Sequence, residues 1–150
     1  MATYKSRTFP SFFSSKSSFS SPNIISSIEE GAALIKANLE FNQNNGLLLC
    51  CPIPEEHSID HESIETVIEQ ALSECEANGV RGKEVTPYVL ERVNQLTSGK
   101  SLQANIALIE NNASIGSKIS VELSKLRNED LASQTSSSRE RLTNSLPECY

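Results

Sequence analysis

The chain lacks five features that would point to particular classes of protein. Its 150 residues contain no apolar run long enough to cross a bilayer. Its Lys and Arg side chains form no stripe of the kind that binds nucleic-acid phosphates, and residues 29–126 hold seven basic and fifteen acidic side chains. It also has no Gly-rich phosphate loop, no Ser/His/Asp arrangement and no two-His metal motif. These absences argue against membrane and nucleic-acid partners, and the length predicts one domain.

The cysteines lack the spacing of a metal site. Cys50 and Cys51 are adjacent, so within a strand their side chains point to opposite faces and cannot jointly hold a metal. Cys75 falls on the apolar stripe of a predicted helix. We interpret the cysteines as small apolar side chains in a reducing compartment, rather than as zinc ligands or disulfide partners.

The first half of the chain predicts one helix and one strand. Ser27 and Glu30 form a capping box, and apolar residues at helical spacing extend the predicted helix to Phe41. The short apolar run Leu47–Cys51 follows a break at residues 44–46. Such a run is typical of a strand buried on both faces of a parallel sheet.

The second half predicts three helices. Asp60 is expected to cap the first, and Gly79 to end it. Its apolar stripe consists of Ile64, Val67, Ile68, Ala71, Leu72 and Cys75. Thr86 is expected to cap the second helix, with Pro87 at its first position and a stop at Ser98-Gly99.

Ser101 is expected to cap a third helix that runs to about Leu126. Beyond it, residues 133–138 are nearly all hydroxyl or amide, so residues 127–150 are predicted to be a disordered polar tail. The predicted domain therefore covers residues 1–126. Its single buried-type strand needs a neighbour for its hydrogen bonds, which predicts an unfinished α/β layer belonging to a larger sheet.

Several rigid motifs occur in a recognisable order: PIPEEH at Pro52–His57, GKEVTP at Gly82–Pro87, LTSGKSLQANIAL at Leu96–Leu108 and NNA at Asn111–Ala113. Together they resemble the C-terminal part of the pseudouridine-5'-phosphate glycosidases, the indigoidine synthase A-like family. The resemblance covers residues 1–126. It implies the C-terminal part of an α/β/α layered fold, helix-rich in this chain.

Residues 1–28 carry three basic side chains and no acidic one, and they are rich in Ser and Phe. One interpretation is an organelle transit peptide. The other, which we favour, is family structure, because Tyr4 and the segment Phe9–Phe13 resemble a family strand end and the Phe-Pro element after it. On that interpretation Met1 begins in the middle of the family fold. The sequence leaves cytoplasm, mitochondrion, plastid and peroxisome open.

Asn105 is the strongest candidate for a substrate contact. It shares a predicted helix face with Leu102, Ile109 and Asn112, where apolar side chains are expected. A buried, hydrogen-bonded structural Asn is the alternative. The resemblance favours the substrate role, because the Asn of this motif lines the family's substrate site, whereas Asn112 is interpreted as structural.

The loop Pro52–His57 follows a predicted strand, where α/β proteins place ligand sites. Its acidic residues and His57 could move protons, but a rigid structural loop is the favoured interpretation. Glu55 and Glu56 are the acidic residues of this loop and are interpreted as structural. His61 is expected to be exposed at a helix start and Lys83 to form part of a turn, while Arg81 is a weak candidate for a phosphate contact. Thr86 is interpreted as a helix cap.

The resemblance implies a reaction that this chain lacks the residues to perform. Family members reversibly cleave the C–C glycosidic bond of pseudouridine 5'-phosphate to uracil and ribose 5-phosphate. They use a Schiff-base lysine, a proton-transferring glutamate and manganese held through an aspartate. Those residues lie upstream of the resembling segment, so no catalytic residue or metal ligand is assigned here. We therefore expect a truncated enzyme, inactive alone, whose relatives form trimers. The alternative is an interaction module that binds a full-length paralogue.

Overall fold

The computed structural model describes residues 1–42 and 45–143 and divides the chain into two compact units, Met1–Ser26 with Leu48–Ser114 and Ser27–Leu47 with the residues from Ile115 onward. The strands are β1 (Ala2–Tyr4), β2 (Ile24–Ile25) and β3 (Leu49–Cys50), and the helices are α1 (Ile28–Glu40), α2 (His61–Ala77), α3 (Val85–Leu96) and α4 (Lys100–Thr143). This helix-rich chain with a parallel sheet confirms the predicted α/β class. None of the helices in the described ranges combines the length and the apolarity that crossing a bilayer requires.

The sheet of the first unit is parallel and has the order β2-β1-β3. Thr3 of the central strand is fully buried and pairs with Ile24 on one side and Cys50 on the other. Residues 2–4 therefore supply the neighbour that β3 was predicted to need, and β1 ends at Tyr4, the residue that resembles a family strand end. The prediction of a strand buried on both faces was wrong, since Leu49 and Cys50 are only half-buried.

The core of the first unit lies against α2, α3 and the start of α4. Six buried side chains form it: Phe13, Ile53, Ile64, Ala71, Val93 and Ala104. Phe13 comes from the Ser-rich N-terminal segment, and its backbone carbonyl accepts a 2.9 Å hydrogen bond from the N–H of Ile59. The apolar stripe predicted for α2 thus faces this core, with Cys75 buried at its end, except for Leu72, which is 47% exposed.

Two helix starts follow the sequence prediction. The Ser27 side chain accepts a hydrogen bond from the N–H of Glu30, and the Asp60 carboxylate accepts one from the N–H of Ser63. The predicted stop at Gly79 is also confirmed, since Gly79 has φ +67° and the N–H of Val80 returns to the carbonyl of Cys75.

Two predicted caps were wrong. A 3₁₀ turn at Gly82–Glu84 runs directly into α3, so Thr86 already lies inside the helix, and no side chain caps its start. Pro87 is tolerated there because the first backbone N–H groups of a helix lack internal partners. Ser101 lies inside α4 and is 2% exposed, and its N–H donates to Thr97 Oγ1 at 3.2 Å.

The second unit contains α1 and the later part of α4. Its buried side chains include Ala32, Ile115 and Ile119. The helix continues past the predicted end near Leu126 to Thr143, and residues 144–150, the rest of the segment predicted to be a polar tail, lie outside the described part. Asp130 forms a 2.6 Å ion pair with Lys36 of α1, which anchors the helix beyond the predicted boundary and raises the pKa of Lys36.

Candidate functional site

The loop Pro52–His57 leaves the carboxyl end of β3, the edge at which parallel sheets place ligand sites. Ile53 anchors it, because its side chain is 2% exposed within the core. The residues that follow form a short 3₁₀ turn, and the side chains of Glu55, Glu56 and His57 are exposed. The loop is therefore fixed at its base and presents its titratable groups to solvent.

Asn111 of α4 holds the loop in place. Its Nδ2 donates a 3.0 Å hydrogen bond to the carbonyl oxygen of Pro52. Proline has no N–H, so the strand's exit is tied to the helix through this carbonyl. The sequence interpretation gave a structural role to Asn112, but Asn112 is exposed and its neighbour makes the contact. The NNA motif indicated that an Asn is needed here but did not show which of the two bonds the loop.

A cleft of about 430 Å³ lies beside the loop. Its walls come from the 3₁₀ turn, the start of α2 and the start of α4: Glu56, His57, Ser58, Ile59, Asp60, Ser63, Lys100, Gln103 and Ala104. Hydrogen bonds from the N–H and the hydroxyl of Ser63, at 3.0 and 2.9 Å, lower the pKa of Asp60. The cleft thus combines a fixed carboxylate, a lysine and an imidazole, groups suited to binding a polar ligand. Lys100 and Gln103 were not selected from the sequence.

Asn105 lies one residue beyond this wall and is half-buried. The helix face that it was predicted to share points away from the core, since Leu102 is 52% and Ile109 is 59% exposed. This position agrees with an Asn that faces outward from the first unit. Its role as a substrate contact stays a prediction.

The remaining candidates lie apart from the cleft. Arg81 and Lys83 are exposed beside the 3₁₀ turn at Gly82–Glu84, and Glu55 lines a different cleft. His61 starts α2, as expected, but it is half-buried and its Nδ1 lies 3.8 Å from Glu65. Burial raises the pKa of the Cys51 thiol, and the adjacent Cys50 raises it further.

The titratable side chains do not assemble a metal centre in the described ranges. Among the residues that the structure describes, no three His, Cys, Asp or Glu side chains are arranged to hold a metal ion. The manganese that the resemblance implies therefore has no fitting donor set there.

Residues 1–122 match the sequence profile of the family described as indigoidine synthase A like protein. The chain is 47% identical over 126 residues to a pseudouridine-5'-phosphate glycosidase of Arabidopsis thaliana, covering 84% of this chain and 38% of that protein. A protein of the same name from Caldanaerobacter subterraneus subsp. tengcongensis is 40% identical over 126 residues, and 41% of it is covered. The chain thus spans about two-fifths of the length of these relatives.

Two solved structures share the fold. An indigoidine synthase A-like protein of Thermotoga maritima superimposes with a TM-score of 0.66 at 31% identity, over 82% of this chain and 39% of that one. The prealnumycin C-glycosynthase AlnA, solved in complex with ribulose 5-phosphate, gives a TM-score of 0.77 at 23% identity, over 85% of this chain and 42% of that one. The second likeness concerns the fold alone.

Proposed function

The chain belongs to the indigoidine synthase A-like family, and we propose that it carries the C-terminal layer of a pseudouridine-5'-phosphate glycosidase. The match over residues 1–122 is the observation that carries the proposal. The match includes residues 1–28, which favours family structure over a transit peptide. The 47% identity to a relative of that name supports pseudouridine 5'-phosphate as the substrate of the complete fold.

The 150-residue chain is proposed not to cleave this substrate alone. The reaction needs an electron sink for a carbon–carbon bond, and the family meets that need with a Schiff-base lysine. The resemblance implies that this nucleophile lies upstream of the matching segment, so none of the lysines in the helices and turns of this chain is proposed for that role: Lys36, Lys83, Lys100, Lys118 and Lys125. In the complete fold, Asn105 is proposed to form a hydrogen bond with the substrate, as donor or as acceptor.

Uracil release from pseudouridine 5'-phosphate tests the proposal. The purified chain is incubated with substrate and manganese beside the full-length Arabidopsis relative as a positive control. We expect release from the relative and none from the 150-residue chain. Uracil release together with a lysine trapped by borohydride in this chain would contradict the proposal.

A second candidate function is docking onto the remainder of the family fold, supplied by another chain. The observation that favours it is the outer face of α4, defined as Leu102, Ile106 and Ile109, which are between 49% and 59% exposed. An apolar face of this kind marks a surface that another protein surface covers. Family relatives are much longer than this chain, so a full-length paralogue is the proposed partner.

Co-purification with a full-length paralogue tests the docking function. We expect the wild-type chain to be retained and the Ile106→Asp variant to be lost, because a charge would then enter an apolar interface. Glu110→Gln is the control, since it changes a polar residue on the same helix. Equal retention of the wild type and Ile106→Asp, or no retention of either, would exclude this function.

A further inference from the structure

The second unit carries a cleft of about 360 Å³ between the end of α1 and the part of α4 beyond Leu126. We call its lining the α1–α4 patch, which combines two leucines, two cations and two carboxylates: Lys36, Leu39, Glu40, Arg127, Asp130 and Leu131. The three residues that α4 contributes lie outside residues 1–122, the segment that matches the family profile. The patch is therefore a feature of this chain that the family match does not cover.

The two leucines of the patch are exposed although earlier turns of the same helices bury their apolar side chains. Leu39 is 53% and Leu131 is 61% exposed, whereas Ala32 of α1 is 0% and Ile119 of α4 is 4% exposed. Leucines that line a concave surface and are rimmed by charges mark a place where another protein surface binds. The patch thus has the composition of a small protein interface.

The charges of the patch leave one cation and one carboxylate available at its rim. Lys36 and Asp130 pair with each other at 2.6 Å. Glu40 lies 3.8 Å from the same Lys36 ammonium, and its side chain is 62% exposed. Arg127 is exposed and takes part in none of the ion pairs formed among the described residues. The patch as a whole has no net charge, because its two cations balance its two carboxylates.

A surface that offers one charge of each sign is complementary to a copy of itself. About a two-fold axis every contact occurs twice, so Arg127 of one protomer can face the partner's Glu40 while the reverse pair forms on the other side. The exposed leucines then meet between the two ion pairs. A partner of one charge sign would satisfy only one of the two groups, since it would repel the other.

We propose that the α1–α4 patch binds a second copy of this chain about a two-fold axis, with Leu39 and Leu131 in contact at the centre and Arg127 of each protomer paired with Glu40 of its partner. Two such helix pairs together form a four-helix contact. The interface is small, so we expect a dissociation constant on the order of tens of micromolar. Neither the glycosidase assignment nor the outer face of α4 at Leu102–Ile109 is required for this association.

Sedimentation velocity of the purified chain, at concentrations on both sides of this value, tests the proposal. We expect a reversible equilibrium between monomer and dimer. Leu131→Ser is expected to weaken the dimer about tenfold or more. Leu72→Ser is the matched control, because Leu72 of α2 is 47% exposed outside the patch, and we expect it to change the dissociation constant less than about twofold. A chain that stays monomeric or forms trimers, or equal weakening by both variants, would overturn the proposal.

Reversed charges test the two-fold pairing itself. Arg127→Glu and Glu40→Arg are each expected to weaken self-association about tenfold at low salt, because like charges then meet twice. An equimolar mixture of the two variants regains both ion pairs and is expected to associate within about threefold of the wild type. Circular dichroism checks that each variant keeps its helix content.

Arg81→Glu makes the same charge change on an exposed turn of the first unit and is expected to alter the dissociation constant less than about twofold. A mixture that associates no more tightly than either variant alone would contradict the two-fold pairing. Weakening by Arg81→Glu as large as that by Arg127→Glu would show a general effect of charge instead of a contact at the patch.

Discussion

The two faces of the start of α4 both carry apolar side chains but have opposite surroundings. On the inner face, Ser101 and Ala104 are each 2% exposed and Leu108 packs against the core. On the outer face, Leu102, Ile106 and Ile109 are about half exposed or more. Burying one such aliphatic side chain is worth about 1.5–3 kcal/mol, so the outer face leaves a large stabilisation unused. Helical periodicity shows that a face is apolar, but it does not show which surface covers it.

A charge placed on each face in turn gives the largest expected contrast. Ala104→Asp buries a carboxylate with no partner and is expected to lower the free energy of unfolding by more than about 4 kcal/mol. Ile106→Asp puts the same group on the outer face and is expected to change it by less than about 1 kcal/mol. Urea unfolding followed by circular dichroism measures both. Equal destabilisation would show that the outer face is covered in solution.

A cavity introduced in α2 sharpens the same comparison. Ile64 is 1% exposed in the core, so Ile64→Ala is expected to cost about 3 kcal/mol. Leu72 on the same helix is 47% exposed, and Leu72→Ala is expected to cost about 1 kcal/mol. Urea midpoints of the two variants give the ratio, and a larger loss at Leu72 would contradict the assignment of faces.

Removing the amide that ties α4 to the loop has a smaller effect. Asn111→Ala leaves the Pro52 carbonyl without its donor and is expected to cost about 1 kcal/mol. The exposed neighbour offers a matched control, since Asn112→Ala is expected to stay within about 0.5 kcal/mol of the wild type. If thermal unfolding ranks the two variants the other way, the hydrogen bond does not hold the loop.

The smallest expected effect is on how the free energy of unfolding depends on pH. Arg92 of α3 pairs with Glu74 of α2, and its Nη2 donates to Glu74 Oε1 at 3.1 Å. This pairing, followed by the Gln70 hydrogen bond, lowers the pKa of Glu74 below its ordinary 4.5. The unfolded chain therefore takes up the proton first, so the stabilisation is present above pH 4.5 and is lost as the pH falls through the lowered pKa.

Arg92→Gln should remove the part of the acid-pH dependence of the free energy of unfolding that this pair contributes. Unfolding curves recorded at neutral and acid pH measure it. Lys83→Gln, which removes an exposed cation outside the pair, should leave the slope unchanged. An unaltered slope in Arg92→Gln would show that the pair does not couple folding to pH.

The sequence predicted those parts of the fold that depend on local chemistry. The caps at Ser27 and Asp60 and the stop at Gly79 each need only a few neighbouring residues, and the structure confirms them. The caps expected at Thr86 and Ser101 were wrong because a preceding turn, at Gly82–Glu84 or at Thr97, had already set the backbone. Local propensity does not show at which residue such a turn ends and the helix begins.

Long-range features escaped sequence analysis. The three-residue strand β1, which pairs with β3, is too short for periodicity to reveal, and only the family resemblance at Tyr4 indicated a strand end there. Lys5, Arg7 and Lys16 appear in the sequence only as an excess of positive charge, whereas the structure places all three along one cleft that Pro52 also lines. Family motifs named the Asn-Asn pair but not the member that bonds the loop.

The position of β1 in the sheet bears on how the chain assembles during synthesis. The central strand contains residues 2–4, and both of its neighbours, at Ile24 and at Leu49, leave the ribosome after it. One edge of the strand therefore stays open until β3 has been made, and contacts so distant in sequence form slowly. Among the three described strands, β1 is made before both of its neighbours, and until β3 follows, its unpaired edge is available to other nascent chains.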